Sequence, residues 1–208
     1  MNEFDLKAAG WDLNPMHIER AEAVAKLIGK RIELKKSMKA LEFGAGTGLT
    51  SFLLNDSLGE ITMMDNSVEM VRIMDEKIRK SDSTNLKPLL FDLENNDWEG
   101  EKFNLIIAQM VLHHVNDIEN LTSRFHDMLS DDGHLAIADL YPEDGSFHGQ
   151  GFNGHLGFDP EVLSRMVQKY GFGNASFEKC FVINKKISEN ENKQFDVFLL
   201  IAKKMKQH

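Results

Sequence analysis

The stretch Ala40-Leu41-Glu42-Phe43-Gly44-Ala45-Gly46-Thr47-Gly48-Leu49-Thr50 decides how the chain is read. The apolar run over residues 38–43 reads as a short buried strand, and Leu49, Phe52, Leu53 and Leu54 recur at helical spacing directly after it. Between them three glycines alternate with small residues. Glycine lets the chain turn tightly and lets a ligand approach the backbone without meeting a Cβ. A helix N-terminus adds unpaired N–H groups and a partial positive charge. Strand, glycine loop and helix together predict a cofactor cradle on an open α/β sheet.

Downstream of the loop the pattern alternates. Strands are predicted at 60–64, 87–91, 103–108 and 134–140, with helices at 47–55, 68–78 and 118–129. Asp131-Asp132-Gly133 reads as a turn into the strand at 134. Strands alternating with helices imply a parallel, right-handed, doubly wound sheet. Upstream, Ile18, Ala21, Val24, Ala25, Leu27 and Ile28 form one face of an amphipathic helix, opened by Asn14-Pro15 and closing near Gly29. Residues 4–11 predict a shorter helix, whose Phe4 and Trp11 either cover an apolar pocket or simply pack.

Residues 141–158 break the rhythm. They hold five glycines, yet also three Phe, one Tyr and two His, which is too apolar for a disordered linker. A long irregular loop in a compact domain is usually functional, so this one is expected on the substrate side. Asp159-Pro160 then opens a helix to about residue 170, and Gly171 stops it. Strands at 175–184 and 195–202, joined by a polar loop at 185–193, predict an antiparallel hairpin on the sheet edge. The expected organisation is one domain over 1–208. It comprises a helical lid (1–37), a cofactor-binding core (38–140), the loop (141–158), and a helix with the hairpin (159–208).

Composition narrows the class. Hydrophobic content of 42% and charged content of 27% are those of a soluble globular protein. No apolar run is long enough to span a bilayer. The beginning of the chain lacks a basic stretch followed by an apolar core, so no secretory leader is expected. A single cysteine, Cys180, excludes an internal disulfide and points to a reducing cytoplasm. A net charge of −9 disfavours binding to nucleic acid and favours a small-molecule substrate. The lysines at 35, 36 and 39 and at 203, 204 and 206 read as solvated surface.

The glycine spacing is informative by its departures. The dinucleotide fingerprint is G-x-G-x-x-G, but Leu49 stands where its third glycine belongs. No Lys-Ser or Lys-Thr pair follows, so the loop is not a P-loop either. Asp65 closes the second strand, about 20 residues after the first glycine, where a carboxylate accepts hydrogen bonds from ribose hydroxyls. Asp65 is equally able to cap the helix near Ser67. Asp92 closes the third strand, where it is placed to accept from an exocyclic amine, with Phe91 or Leu93 flanking the ring. Gln109 follows the fourth strand. These strand ends converge on the crevice in which open α/β sheets bind ligands.

Glu42-Phe43-Gly44-Ala45-Gly46-Thr47-Gly48, then Asp65, Asp92 and the strand 103–108, resemble a class I S-adenosylmethionine-dependent methyltransferase. The resemblance implies an α/β, doubly wound, Rossmann-like seven-stranded sheet, mostly parallel with an antiparallel C-terminal strand. It implies S-adenosyl-L-methionine as cofactor. Glu42 and Gly44, Ala45, Gly46 and Gly48 would hold its amino-acid part. Asp65 with Asn66 would hold the ribose, Asp92 with Leu93 the adenine, and Gln109 the methionine portion. The helical N-terminal segment with Trp11 and Asp12 is similar to the small-molecule branch that includes ubiquinone and menaquinone biosynthesis methyltransferases.

A sulfonium methyl group is intrinsically electrophilic, so orientation supplies most of the acceleration and a base is needed only for a protonated acceptor. His113, His148, His155 and Tyr141 are the candidates for that role. His113 and His114 are adjacent and lack a carboxylate at ligand spacing, so no metal is expected. The Asp/Asn-Pro-Pro-Tyr-like motif of amino-methylating nucleic-acid enzymes is absent after the fourth strand, where Ala108-Gln109-Met110-Val111 stands. Cys180 reads as a buried inert thiol. Two rivals stay open: an NAD-dependent Rossmann oxidoreductase, and a non-catalytic module that binds S-adenosylmethionine to regulate a partner.

Overall fold

The computed structural model describes residues 3–206, Glu3 by its backbone alone. The leader reading at Met1 and Asn2 and the extreme ends of the predicted domain range lie outside the described residues. Helix α1 (Glu3–Lys7) runs into a 3-10 turn (Ala8–Leu13), followed by α2 (Pro15–Arg31). Then come β1 (Lys39–Phe43), α3 (Leu49–Leu54), β2 (Glu60–Asp65), α4 (Val68–Arg79), β3 (Leu86–Leu90) and β4 (Phe103–Gln109). Helix α5 (Ile118–Met128), β5 (Leu129–Leu140), α6 (Pro160–Lys169), β6 (Phe172–Lys186) and β7 (Asn192–Lys204) complete the chain.

All seven strands form one sheet in the order β3-β2-β1-β4-β5-β7-β6. Strands β1 to β5 are parallel where they pair, and β7 inserts antiparallel between β5 and β6. The expected fold is the observed one, with the hairpin's second strand inside the sheet and its first on the edge. Side-chain alternation explains the double winding. Ala40, Ile61, Met63, Leu105 and Ile107 face the layer of α2, α3 and α4, with Val24, Ile28, Leu54 and Met74. Leu41, Phe43, Ile106, Leu135 and Ile137 face α5 and α6, with Phe125, Met128, Leu163 and Val167.

Several boundaries differ for physical reasons. Helix α3 starts at Leu49, not at 47, because Gly48 caps it with φ +80°. The expected turn at Asp131-Asp132-Gly133 is instead an irregularity within β5. There the register to β4 shifts between Phe103 and Leu105, and Asp132 adopts φ +62°. Lys203 and Lys206 both pair with Asp132 and hold that bend. The hairpin strands are longer than predicted. Lys185 pairs with Lys193 and Lys186 with Asn192, because a solvated edge ladder accepts polar residues that an apolar pattern does not signal. Pro88 lies in β3, tolerated because β3 is an edge strand.

Caps match the sequence signals. The Asn14 side chain accepts from the Met16 N–H, and Asp117 accepts from the Asn120 N–H. Asp159 accepts from both Glu161 and Val162 N–H, with Pro160 at the first helical position. Asp159→Ala is expected to cost about 1 kcal/mol, lowering Tm by about 2–4 °C for a domain of this size. A calorimetric scan checks it. Among the described residues, no helix is long and apolar enough to cross a membrane.

Candidate functional site

Strands β1 and β4 are neighbours in the sheet but not in sequence, so their connections leave in opposite directions and open a crevice above their C-terminal ends. A cavity of about 880 Å3 lies there, large enough for a drug-sized ligand. Of the residues expected at the cofactor, Glu42, Gly44, Ala45, Gly46, Asp65, Asn66, Asp92, Leu93 and Gln109 all line it. Gly48 does not: it caps α3, and a Cβ on it would stand 2.7 Å from the Met63 sulfur.

The loop is held in a conformation that L side chains rarely adopt. Gly44 and Gly46 have φ of +63° and +57°. A Cβ on Gly44 would also stand 2.3 Å from Val111 Cγ2, in the segment after β4. Gly44→Ala is therefore expected to destabilise by about 2 kcal/mol through combined strain and overlap. Gly29→Ala, in α2 with nothing within 4 Å of the new Cβ, is expected to be neutral or stabilising. Thermal unfolding of the two variants reads the contrast.

Asp65 ties the loop to β2. Its Oδ2 accepts from the Gly46 N–H at 2.7 Å and its Oδ1 from the Ser67 N–H at 2.9 Å. The cap of α4 is Ser67, which accepts from the Met70 N–H, so the alternative capping role passes to the next residue but one. Burial pushes the Asp65 carboxyl above its usual range, and backbone donors from Ser67 and Gly46 pull it back. Asp92 is half-buried. Its oxygens accept from the Glu94 and Asn95 N–H groups and from Asn95 Nδ2, while Leu93 beside it is buried. Gln109 Oε1 accepts from Thr50 Oγ1 at 2.8 Å.

Glu42 is 3% exposed and accepts from both the N–H and the hydroxyl of Ser51 in the first turn of α3. Burial drives its carboxyl up to about 7, against the pull of Ser51 and Thr50. The folded protein thus holds this proton more tightly than the unfolded chain. Stability falls as pH rises from about 4.5 to about 7, where the buried group ionises. Glu42→Gln removes that dependence, so without ligand its Tm is expected to gain on wild type by several degrees between pH 4.5 and 8. A parallel pH series of melts tests it.

The N-terminal segment is clipped onto the loop. Lys77 Nζ donates to Asp12 Oδ2 at 2.8 Å and to the Thr47 carbonyl at 2.9 Å, and the Thr47 hydroxyl donates to Asp12. Phe4 and Trp11 consequently line the cavity, the Trp11 indole nitrogen lying 3.7 Å from where a Gly46 Cβ would be.

The candidate proton acceptors separate. His113 is buried, with Nδ1 2.7 Å from Oδ1 of the fully buried Asp139. His148 stacks on Phe152 at 3.7 Å, and its ring centroid is 4.8 Å from that of His113. Both line the cavity, as does His114. His155 does not: its Nε2 donates to the Val115 carbonyl at 3.0 Å, which spends it on anchoring the loop. Tyr141 borders a separate, smaller recess with Glu143 and Asp196. The expectation of no metal rested on the adjacent pair alone, but the loop adds His148, bringing one ring nitrogen from each of three imidazoles within 4.8 Å of one another. Cys180 is half-buried, and burial raises its thiol to about 12, as expected for an inert group.

Two charges that the apolar patterns conceal belong to this region: Arg20 lines the cavity, and Asp139 is bonded to His113. Arg20 shares the apolar face of α2 with Val24 and Ile28 at helical spacing. Asp139 interrupts the apolar run of β5. A charge inside a core pattern was the available signal in both cases.

A family model described as a methyltransferase domain matches residues 16–176. An uncharacterized methyltransferase of Schizosaccharomyces pombe is 29% identical over 167 residues, covering 73% of this chain and 57% of its own length. The chain thus spans little more than half of that curated relative. Among solved structures, the Haloferax volcanii complex with the Trm112 methyltransferase activator contains a chain similar at TM-score 0.80 and 16% identity, covering 99% of each. The N-methyltransferase NodS of Bradyrhizobium japonicum, solved with S-adenosyl-L-homocysteine, is similar at TM-score 0.69 and 16% identity, covering 93% of this chain and 89% of that one.

Proposed function

The chain belongs to the methyltransferase-domain family, and from that premise we propose that it transfers a methyl group from S-adenosylmethionine to a small-molecule acceptor held in the same cavity. One observation carries the reading: cofactor-side and acceptor-side residues line a single chamber of about 880 Å3.

The residues fit the cofactor. Left-handed glycines offer bare backbone, Glu42 and Asp65 stand at successive strand ends, and Asp92 with Leu93 closes the third. S-adenosylmethionine, when bound, supplies a methyl group on an electrophilic sulfonium. Glu42 and the loop are assigned to the amino-acid portion, Asp65 and Asn66 to the ribose, Asp92 and Leu93 to the adenine, and Gln109 to the methionine portion. Acidic groups on this side also suit a cationic cofactor. Phe4 and Trp11 form a lid over the loop and exclude water.

His113 is the proton acceptor in this account. Asp139 accepts from its Nδ1–H, so Nε2 carries the lone pair. An acceptor hydroxyl or amine would pass its proton to Nε2 while the methyl group is transferred. The 141–158 loop, which brings in Phe147, His148 and Phe152, sets acceptor selectivity.

The test measures S-adenosylhomocysteine release with a panel of small aromatic and aliphatic acceptors, alongside unfractionated RNA and protein. Turnover on at least one small molecule is expected. Turnover confined to RNA or protein would overturn the small-molecule assignment.

A further inference from the structure

We propose that the methyl acceptor carries an anionic group, a carboxylate or a phosphate, held by Arg20 and Lys185 on the side of the cavity away from the cofactor-side acids. The inference rests on the methyl-transfer reading above and adds to it a substrate class.

Charge in the cavity is sorted by the sheet. The acidic residues that line it, Glu42, Asp65, Asp92 and Glu94, belong to or follow β1, β2 and β3. These strands are one half of the order β3-β2-β1-β4-β5-β7-β6. The other half supplies the opposite sign. Lys185 and Lys186 come from the end of β6, and Arg20 from α2, which packs against β6. The three imidazoles, from the segments after β4 and β5, add polar ring nitrogens beside these cations. A chain with net charge −9 has thus gathered cations at one end of its main cavity.

Arg20 is the sharper observation. It is 6% exposed, its Nε has no hydrogen-bond partner, and Nη1 reaches only the Met16 thioether at 3.5 Å. Burial lowers its guanidinium to about 10, and the field of Asp139 opposes that shift. Asp139 balances charge without bonding to Arg20. Its oxygens accept from the His113 ring, the His113 N–H and the Leu140 N–H. A buried guanidinium with unmet donors is costly, and its planar fork matches an oxyanion.

Lys185 donates to the Phe147 carbonyl and lies over the Phe147 ring at 4.6 Å, with two further donors on its ammonium. Burial lowers its pKa, and Glu143 opposes this from the loop. Glu143 Oε2 accepts from the Gly145 and Phe147 N–H groups, while its Oε1, without a hydrogen bond, lies 3.9 Å from His148 Nδ1. Burial, then neighbouring His and Lys residues, press His148 and His114 down to about 4. An oxyanion beside Lys185 offsets the field that this ammonium exerts on His148. A divalent metal on the three imidazoles adds to it, and the cavity's acidic residues lie on the other half of the sheet. Phe4, Phe147 and Phe152 supply an apolar wall for the body of such an acceptor.

The test is calorimetry on the full chain loaded with S-adenosylhomocysteine, titrated with benzoate, phenyl phosphate, neutral benzamide and benzylamine. At least one anion is expected to bind about tenfold or more tightly than benzamide, and the stronger of the two identifies the group. Lys185→Gln is expected to reduce that preference severalfold while leaving S-adenosylhomocysteine affinity intact. Arg20→Gln should abolish the preference, but Arg20 balances a buried carboxylate, so the more exposed Lys185 variant is the safer probe. Equal or tighter binding of benzamide or benzylamine would overturn the proposal. So would an anion preference unaltered in both variants, or Zn2+ binding that depends on His148 with no anion preference. Failure to bind S-adenosylhomocysteine would count against the methyl-transfer reading. The benzoate–benzamide comparison on the unloaded chain then still decides the anion site.

Discussion

His113→Gln is expected to lower kcat by about 10²–10⁴-fold on an acceptor that must lose a proton, the span of general-base contributions. S-adenosylhomocysteine affinity should change by less than about twofold, because the cofactor-side contacts are untouched. The geometry orients the proposed base. Asp139 is fully buried between β4 and β7 in the sheet, and its Oδ1 stands 2.7 Å from Nδ1 of His113. That contact fixes which nitrogen is protonated and presents Nε2 as the lone pair. Glutamine preserves a donor toward Asp139 but offers no base. Asp139→Asn is expected to act in the same direction by releasing the tautomer. It also strips Arg20 of its nearby counter-charge, so its melting temperature should fall too, whereas that of His113→Gln should fall less. An acceptor with no proton to lose should be insensitive to His113→Gln, and running both acceptor types separates base catalysis from disruption of the site.

Asp65→Ala is expected to weaken S-adenosylhomocysteine binding by ~1–3 kcal/mol, about fivefold to 150-fold. Two effects add. The ribose hydroxyls lose a charged acceptor at the end of β2. The Gly46 and Ser67 N–H groups, bonded to Asp65 at 2.7 and 2.9 Å, lose theirs and loosen the loop. Asp65→Asn retains the shape and one acceptor oxygen, so it should lie between wild type and alanine. Calorimetry that finds equal affinity in all three would remove Asp65 from the site.

The fold was legible because its signals are local and periodic. The residue 38–43 run, the alternating glycines and the helical spacing of Leu49, Phe52 and Leu53 were enough to anticipate a cradle at the end of β1. The convergence of Glu42, Asp65, Asp92 and Gln109 on one cavity was legible for the same reason, since each lies at or just beyond a strand end. The acceptor side was not. His148 meets His113 only because residues 141–158 fold back over the end of β4, with His155 tied to Val115. No spacing within that loop encodes the return. Tyr141 and His155 were plausible by residue type and misplaced by geometry. Arg20 was hidden by the opposite error. Apolar periodicity marks the buried face of α2 by Ala21, Val24 and Ile28 and gives no signal for a charge on that same face.

In the proposed function the glycine loop, Glu42 and Asp65 bind S-adenosylmethionine and not a dinucleotide. Calorimetric titration of the purified chain with S-adenosylhomocysteine and, separately, with NAD tests it most directly. Saturable one-to-one binding of S-adenosylhomocysteine, weakened in Asp65→Ala, with no measurable heat from NAD is the predicted result. Tight NAD binding with no affinity for S-adenosylhomocysteine or S-adenosylmethionine would contradict it.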